Sequence, residues 1–157
     1  MRQIKRLLAL ALAALLALSL CSCGGDKAKI RGTLNDFQTA CRTLDLNEIL
    51  DCFDSDVTTP FRSGATFVSS LIGQSPSEML DAVVPFLFGE DYASSAFLSS
   101  ITIKPNSIAV ADDAATAMCT VSFQYDGEMV ELASTIRLVR EGSGPDAEWY
   151  IEHIRLD

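Results

Sequence analysis

The sequence predicts an α+β domain in which N-terminal helices pack on a curved, four-stranded antiparallel meander. Three observations predict it. Apolar residues recur at helical spacing up to about position 88, switch to period two from Ile101 onward, and pass through a strong hairpin turn at Asp126-Gly127. Helices first and strands second, segregated along the chain, is the α+β arrangement.

The first helix is carried by Ile30, Leu34, Phe37, Cys41 and Leu44, one stripe at i, i+4, i+7, i+11 and i+14. Asp45 is a good N-cap for a second helix bearing Leu46, Ile49, Leu50 and Phe53, with Glu48 three residues after the cap. Pro60 and Gly64 punctuate the next stretch, and Phe67, Val68, Leu71 and Ile72 suggest a short third helix. Ser75-Pro76-Ser77-Glu78 is a capping box with proline at the first helical position. The helix it opens carries Met79, Leu80, Val83, Val84 and Leu87, and Pro85 is expected to kink or end it.

Ile101, Ile103, Ile108 and Val110 make one strand interrupted at Pro105-Asn106. Asp112-Asp113 is a turn. A two-residue loop at Asp126-Gly127 pairs Tyr125 with Glu128, and the register follows: Phe123 faces Val130, Val121 faces Leu132, Cys119 faces Ser134 and Ala117 faces Ile136. This brings the apolar residues of both strands to one face, and a one-residue slip would reverse them all. Trp149, Ile151, Ile154 and Leu156 mark the last strand.

The chain has 157 residues, enough for one domain. Its formal charge is −9, and −12 without the segment that holds Arg2, Lys5 and Arg6. Such an acidic chain has no electrostatic footprint for a nucleic acid. Glycine-rich phosphate loops, zinc-finger spacings and Asp-x-Asp-x-Asp-Gly calcium loops are absent, so no cofactor and no metal is expected.

The start of the chain reads as an export signal. Three basic residues precede Leu7–Leu20, an uncharged run of 14 residues. As a helix it spans about 21 Å, short of a hydrocarbon core of about 30 Å, so it reads as a signal core rather than a lasting span. Leu20-Cys21-Ser22-Cys23 resembles a bacterial lipobox. That chemistry needs a thiol at the new N-terminus for alkylation by diacylglycerol, and Cys23 after the small Ser22 fits better than Cys21. The expected organisation is a lipoprotein signal peptide at 1–22, lipidated Cys23 with a short linker to 27, and one domain over 28–157. The expected partner is then the membrane through a lipid anchor, and the expected place is the outer, extracytoplasmic face of the cell membrane.

An N-terminal helix over Phe37 to Leu44, a break at Asp45, a second helix, the hairpin SIAVADDAATAMCTVSFQYDG and a closing Trp149-Tyr150-Ile151 strand resemble the nuclear transport factor 2-like fold. In particular they resemble small bacterial lipoproteins with that cystatin-like cone and no known function. The resemblance spans about residues 28–157. It implies a cone of curved sheet closed by helices. Its enzymes, isomerases, dehydratases and cyclases among them, place an Asp base inside the cone, often with His or Tyr, while other members only bind or assemble.

No inward Asp–His pair is legible here. Cys119 and Ser134 are small and opposed, and leave room for a candidate pocket lined also by Phe37, Phe123, Trp149 and Ile151. The equal alternative is a close approach of the first helix. His153, the one histidine, shares parity with Trp149 and Ile151 and is the candidate base, although a lone histidine near a strand end is more often structural. Asp36 reads as the solvated side of the first helix. Cys41 and Cys52 sit near the turn between two helices, where a disulfide and two small buried thiols are both open readings. The functional expectation is a non-enzymatic module that binds a small apolar ligand or an envelope protein. The alternatives are an enzyme of the same fold working by acid–base chemistry on a small hydrophobic substrate, and a homodimer assembled through the sheet.

Overall fold

A computed structural model describes residues 24–63, 76–89 and 94–157. The signal segment, Cys23 and the helix expected around Phe67 to Ile72 lie outside the described residues. Helix α1 spans 24–43, and α2 (Leu46–Asp51), α3 (Ser55–Ser63) and α4 (Pro76–Phe88) follow. A 3-10 turn at Ser95–Ser100 leads into the sheet, built of β1 (Thr102–Ala111), β2 (Ala114–Tyr125), β3 (Glu128–Glu141) and β4 (Glu148–Leu156). The sheet is an antiparallel meander in the order β1-β2-β3-β4.

α1 buries Ile30, Leu34, Phe37 and Cys41, as its stripe requires, and Leu44 packs at the rim of the core. Residues 24–27, expected as a linker, are helical. It ends in a Schellman motif: Asp45 N–H reaches Ala40 O at 3.1 Å and Leu44 N–H reaches Cys41 O at 3.1 Å. Leu44 takes the left-handed position at φ +56, where glycine is usual, and its side chain instead gains core contact. Asp45 then caps α2 by accepting from Asn47 N and Glu48 N.

Two prolines lie inside helices. α3 runs through position 60, opened by Asp54 Oδ1, which accepts from Asp56 N at 2.9 Å. α4 passes Pro85 and stops one turn later at Gly89, whose φ of +103 suits a C-terminal cap. Pro85 removes one helical hydrogen bond and crowds the carbonyl of Asp81, yet so near the C-terminus the helix still runs on to Phe88.

The β2–β3 register is the one read from the turn, with Tyr125 paired to Glu128 and Ala117 to Ile136. Asp126 at φ +51 and Gly127 at φ +82 give the type I′ geometry that matches the strand twist. In β1 the interruption is a bulge between Pro105 and Ser107, which lets Ile103 and Ile108 face the same side despite their opposite parity.

The apolar face of the sheet meets α1 and α4 over one core. Phe37 packs edge-on to Phe53 at 5.4 Å and stacks with Phe88 at 6.0 Å, and Phe97 lies against Phe88 and Phe123. Both sheet edges are engaged by helical residues. At β1, Ile103 N donates to Gln38 Oε1 at 2.7 Å. At β4, Lys29 Nζ donates to Ala147 O at 2.7 Å, Thr33 Oγ1 to Trp149 O at 2.9 Å, and Ile151 exchanges backbone bonds with Cys52 and Asp54.

Candidate functional site

The seven residues singled out from the sequence do not form one pocket. Phe37, Cys119, Phe123, Ser134, Trp149 and Ile151 are all buried in the packed core. Of the seven, only Trp149 and His153 border the three cavities described here. The opposed small residues Cys119 and Ser134 therefore mark tight packing. Ser134 Oγ is fully buried with no partner among the described residues. A buried, unmatched hydroxyl is a cost, so Ser134→Ala should leave stability unchanged or raise it by about 1 kcal/mol in chemical denaturation.

His153 is corrected outright. A bulge in β4 lets Arg137 pair with His153 and the adjacent Leu138 with Ile151, leaving Glu152 as the extra residue. Parity reverses there, so Trp149, Ile151 and Ile154 face the core and His153 is exposed on the other side. The imidazole is outside the cone. His153→Ala should change stability by no more than about 0.5 kcal/mol in thermal unfolding.

The largest opening described is a groove of about 510 Å³ along the β4 edge. α1 supplies Lys29, Gly32, Thr33 and Asp36, the end of α2 supplies Asp51 and Cys52, and the β3–β4 connection and β4 supply Asp146, Glu148, Trp149 and Tyr150. A recess of about 350 Å³ shares Asp51 and Tyr150 with it and adds Glu141. Lys29, the one cation among the groove's lining residues, is engaged with the carbonyls of Pro145 at 2.5 Å and Ala147 at 2.7 Å. The groove is therefore dominated by carboxylates.

Two groups in the groove feel that field. Tyr150 Oη donates to Glu148 Oε2 at 2.8 Å. This bond first, then burial and the charges of Glu148, Glu141 and Asp51, push the phenol up to about 12. Unfolding returns it to the ordinary range near 10, so the contribution is whole below pH 10 and is lost as pH rises toward 12. In a spectrophotometric titration Glu148→Gln should move the Tyr150 ionisation down. Cys52 is pushed up to about 12, by burial and then by Asp36, Asp51 and Glu48. Its thiol is protonated at neutral pH and is no nucleophile.

Cys41, Cys52 and Cys119 are free thiols, so the disulfide considered from the sequence is not formed. Cys52 Sγ donates to Glu48 O at 3.3 Å instead. No group of three His, Cys, Asp or Glu suited to a metal ion occurs among the described residues. The sequence matches no family model and no curated protein.

Solved structures do match. An NTF-2-like protein of unknown function from Shewanella oneidensis MR-1 superposes with a TM-score of 0.53 at 14% identity, over 83% of this chain and 97% of that one. The fold is nuclear transport factor 2-like. A putative ketosteroid isomerase from Shewanella frigidimarina NCIMB 400 is alike at a TM-score of 0.44 and 15% identity, over 80% of this chain and 92% of that one, a likeness too slight to bear on activity. Among the described residues the interior of this fold is apolar. Apart from free thiols, its buried side chains among the described residues include only three polar ones, Thr58, Ser95 and Ser134, none of them an acid or base.

The groove was not legible in the sequence because its walls come from separate stretches. Lys29 and Pro145 are 116 residues apart. Neither composition nor periodicity joins them.

Proposed function

We propose that this chain is a membrane-anchored extracytoplasmic lipoprotein whose nuclear transport factor 2-like domain is a non-enzymatic binding module. One observation carries the binding reading: the interior of the cone is filled by Phe37, Phe123, Ile136, Ile151 and their neighbours, and among the described residues no carboxylate or imidazole is buried in it. Acid–base chemistry of the kind this fold supports needs a carboxylate or imidazole in a dry pocket. The largest opening described among these residues is the groove along β4. Its carboxylates oppose an anionic occupant and favour one that brings amine or guanidinium groups. This revises the apolar ligand expected from the sequence. The anchor part of the reading is supported by the basic start, the short apolar core and the Leu20-Cys21-Ser22-Cys23 motif.

Intact-mass spectra of the protein from its host membrane, taken under native and then denaturing conditions, test both parts. A diacylglycerol mass that survives denaturation supports the anchor. A further discrete mass that is lost on denaturation supports the binding module. A bare chain mass in both conditions would overturn the anchor and tight binding of a small molecule alike.

A further inference from the structure

The domain's attitude on the bilayer follows from where the N-terminal part of α1 is held. Residues 24–43 are helical, so the described residues that follow the cysteine read as lipidated belong to the helix rather than to a flexible linker. Its first turns are tied to the sheet. Trp149 Nε1 donates to Asp26 Oδ1 at 3.2 Å, and Lys29 Nζ bridges the carbonyls of Pro145 and Ala147. The next turn adds Thr33 Oγ1 to Trp149 O and buries Ile30 and Leu34. The start of α1 is thus held at the end of the sheet where β3 turns into β4.

The β1–β2 turn lies at the same end, because Arg140 N donates to Asp113 O at 2.9 Å. The β2–β3 hairpin tip lies at the other. β2 has 12 residues, and at about 3.3 Å each the two ends stand about 40 Å apart. We infer that α1 orients the domain on the membrane, setting the β1–β2 turn and the β3–β4 connection against the lipid surface and holding the β2–β3 tip a strand length away. This rests on the lipoprotein reading of Cys23.

The lipid-facing end has a definite chemistry. Asp26, Asp112, Asp113 and Asp146 outnumber Lys27, Lys29 and Arg140 there, and the Lys29 ammonium is already engaged. The surface it fits is zwitterionic lipid, since an anionic leaflet would repel it within a Debye length of about 8–10 Å. The groove shares Lys29, Asp146 and Trp149 with this end and so opens near the headgroups. The opposite end presents Tyr125, 55% exposed, and Met129, 65% exposed, away from the bilayer.

The test is energy transfer from a fluorophore on the full lipidated chain to a headgroup-labelled lipid in phosphatidylcholine vesicles. The fluorophore is placed by Asp113→Cys or by Tyr125→Cys, both in a Cys52→Ser background. Both positions are exposed, so the labels leave the core intact. Transfer from position 113 is expected to exceed that from 125 several-fold. Equal transfer from both positions on vesicle-bound protein would mean that the domain tumbles on its anchor, and would overturn the inference while leaving the anchor standing. Stronger transfer from 125 would overturn it too. Protein that fails to float with the vesicles would remove the anchor reading itself, and the inference with it.

Discussion

Phe37→Ala should cost about 3–5 kcal/mol, the range for truncating a fully buried aromatic side chain. Phe37 is 0% exposed and is the ring through which α1 meets both Phe53 and Phe88. Phe53 forms the backbone bridge to Ile151 at the β4 edge, and Phe88 ends α4. Removing the ring therefore opens a void at the junction of three elements and forfeits two aromatic contacts worth about 0.5–1.5 kcal/mol each, in part already counted in the truncation. A domain of this size is stable by about 5–15 kcal/mol, so the variant would be near its limit. Urea denaturation should show a much lower midpoint with a similar slope. Phe37→Leu retains most of the buried surface and should cost distinctly less. A loss below about 1 kcal/mol for Phe37→Ala would mean that the junction is not packed as described.

The second large effect concerns the anchor. Under the lipoprotein reading, Cys23→Ala removes the only sulfur that can take the diacylglycerol after cleavage, and metabolic labelling with a fatty-acid analogue should fall to background. Cys21→Ala should keep the label. One acyl chain gives marginal membrane binding, with an association constant of about 10⁴ M⁻¹, whereas two give stable anchoring. With a charge of −12 after processing, the domain has no electrostatic means of staying at an anionic surface. Label retained in Cys23→Ala and lost in Cys21→Ala would move the processing site to Cys21. Label in both variants would exclude either cysteine as the sole acceptor.

What was legible in the sequence was whatever local geometry determines. Asp126-Gly127 permits one compact turn, and the turn sets the partner of every residue from Ala117 to Ile136. The stripe from Ile30 to Cys41 could be read because a helix buries only one side. Pro105 announced the β1 bulge because it has no N–H to give to a ladder.

The β4 bulge has no such marker, and there His153 was misplaced. A signal was nonetheless present: Trp149 and Ile151 are two apart, but the next apolar residue is Ile154, three further on. That odd step is what an extra residue at Glu152 produces. Cys119 and Ser134 pair as expected, but whether they border a pocket or a closely packed neighbour stays open in the sequence, because small side chains look the same there whether a ligand or a neighbouring element fills the gap. α3 is hidden in the sequence because Pro60 reads as punctuation, while Asp54 Oδ1 caps the start of the helix. The groove belongs to a different class of feature, created only when residues over 100 positions apart meet.

The side chains that engage the two sheet edges have a consequence for crowding. A protein confined to a surface meets its own copies far more often than one free in solution, and an open β-edge is the standard seed for strand-to-strand polymerisation. Here α1 occupies part of one edge through Gln38 and part of the other through Lys29 and Thr33, while residues 52–54 fill the rest of the β4 contact. A single helix thus covers part of both edges of the sheet. Under the lipoprotein reading, a dense two-dimensional population of these molecules should stay a fluid of separate domains, with α1 helping to keep each one from templating the next.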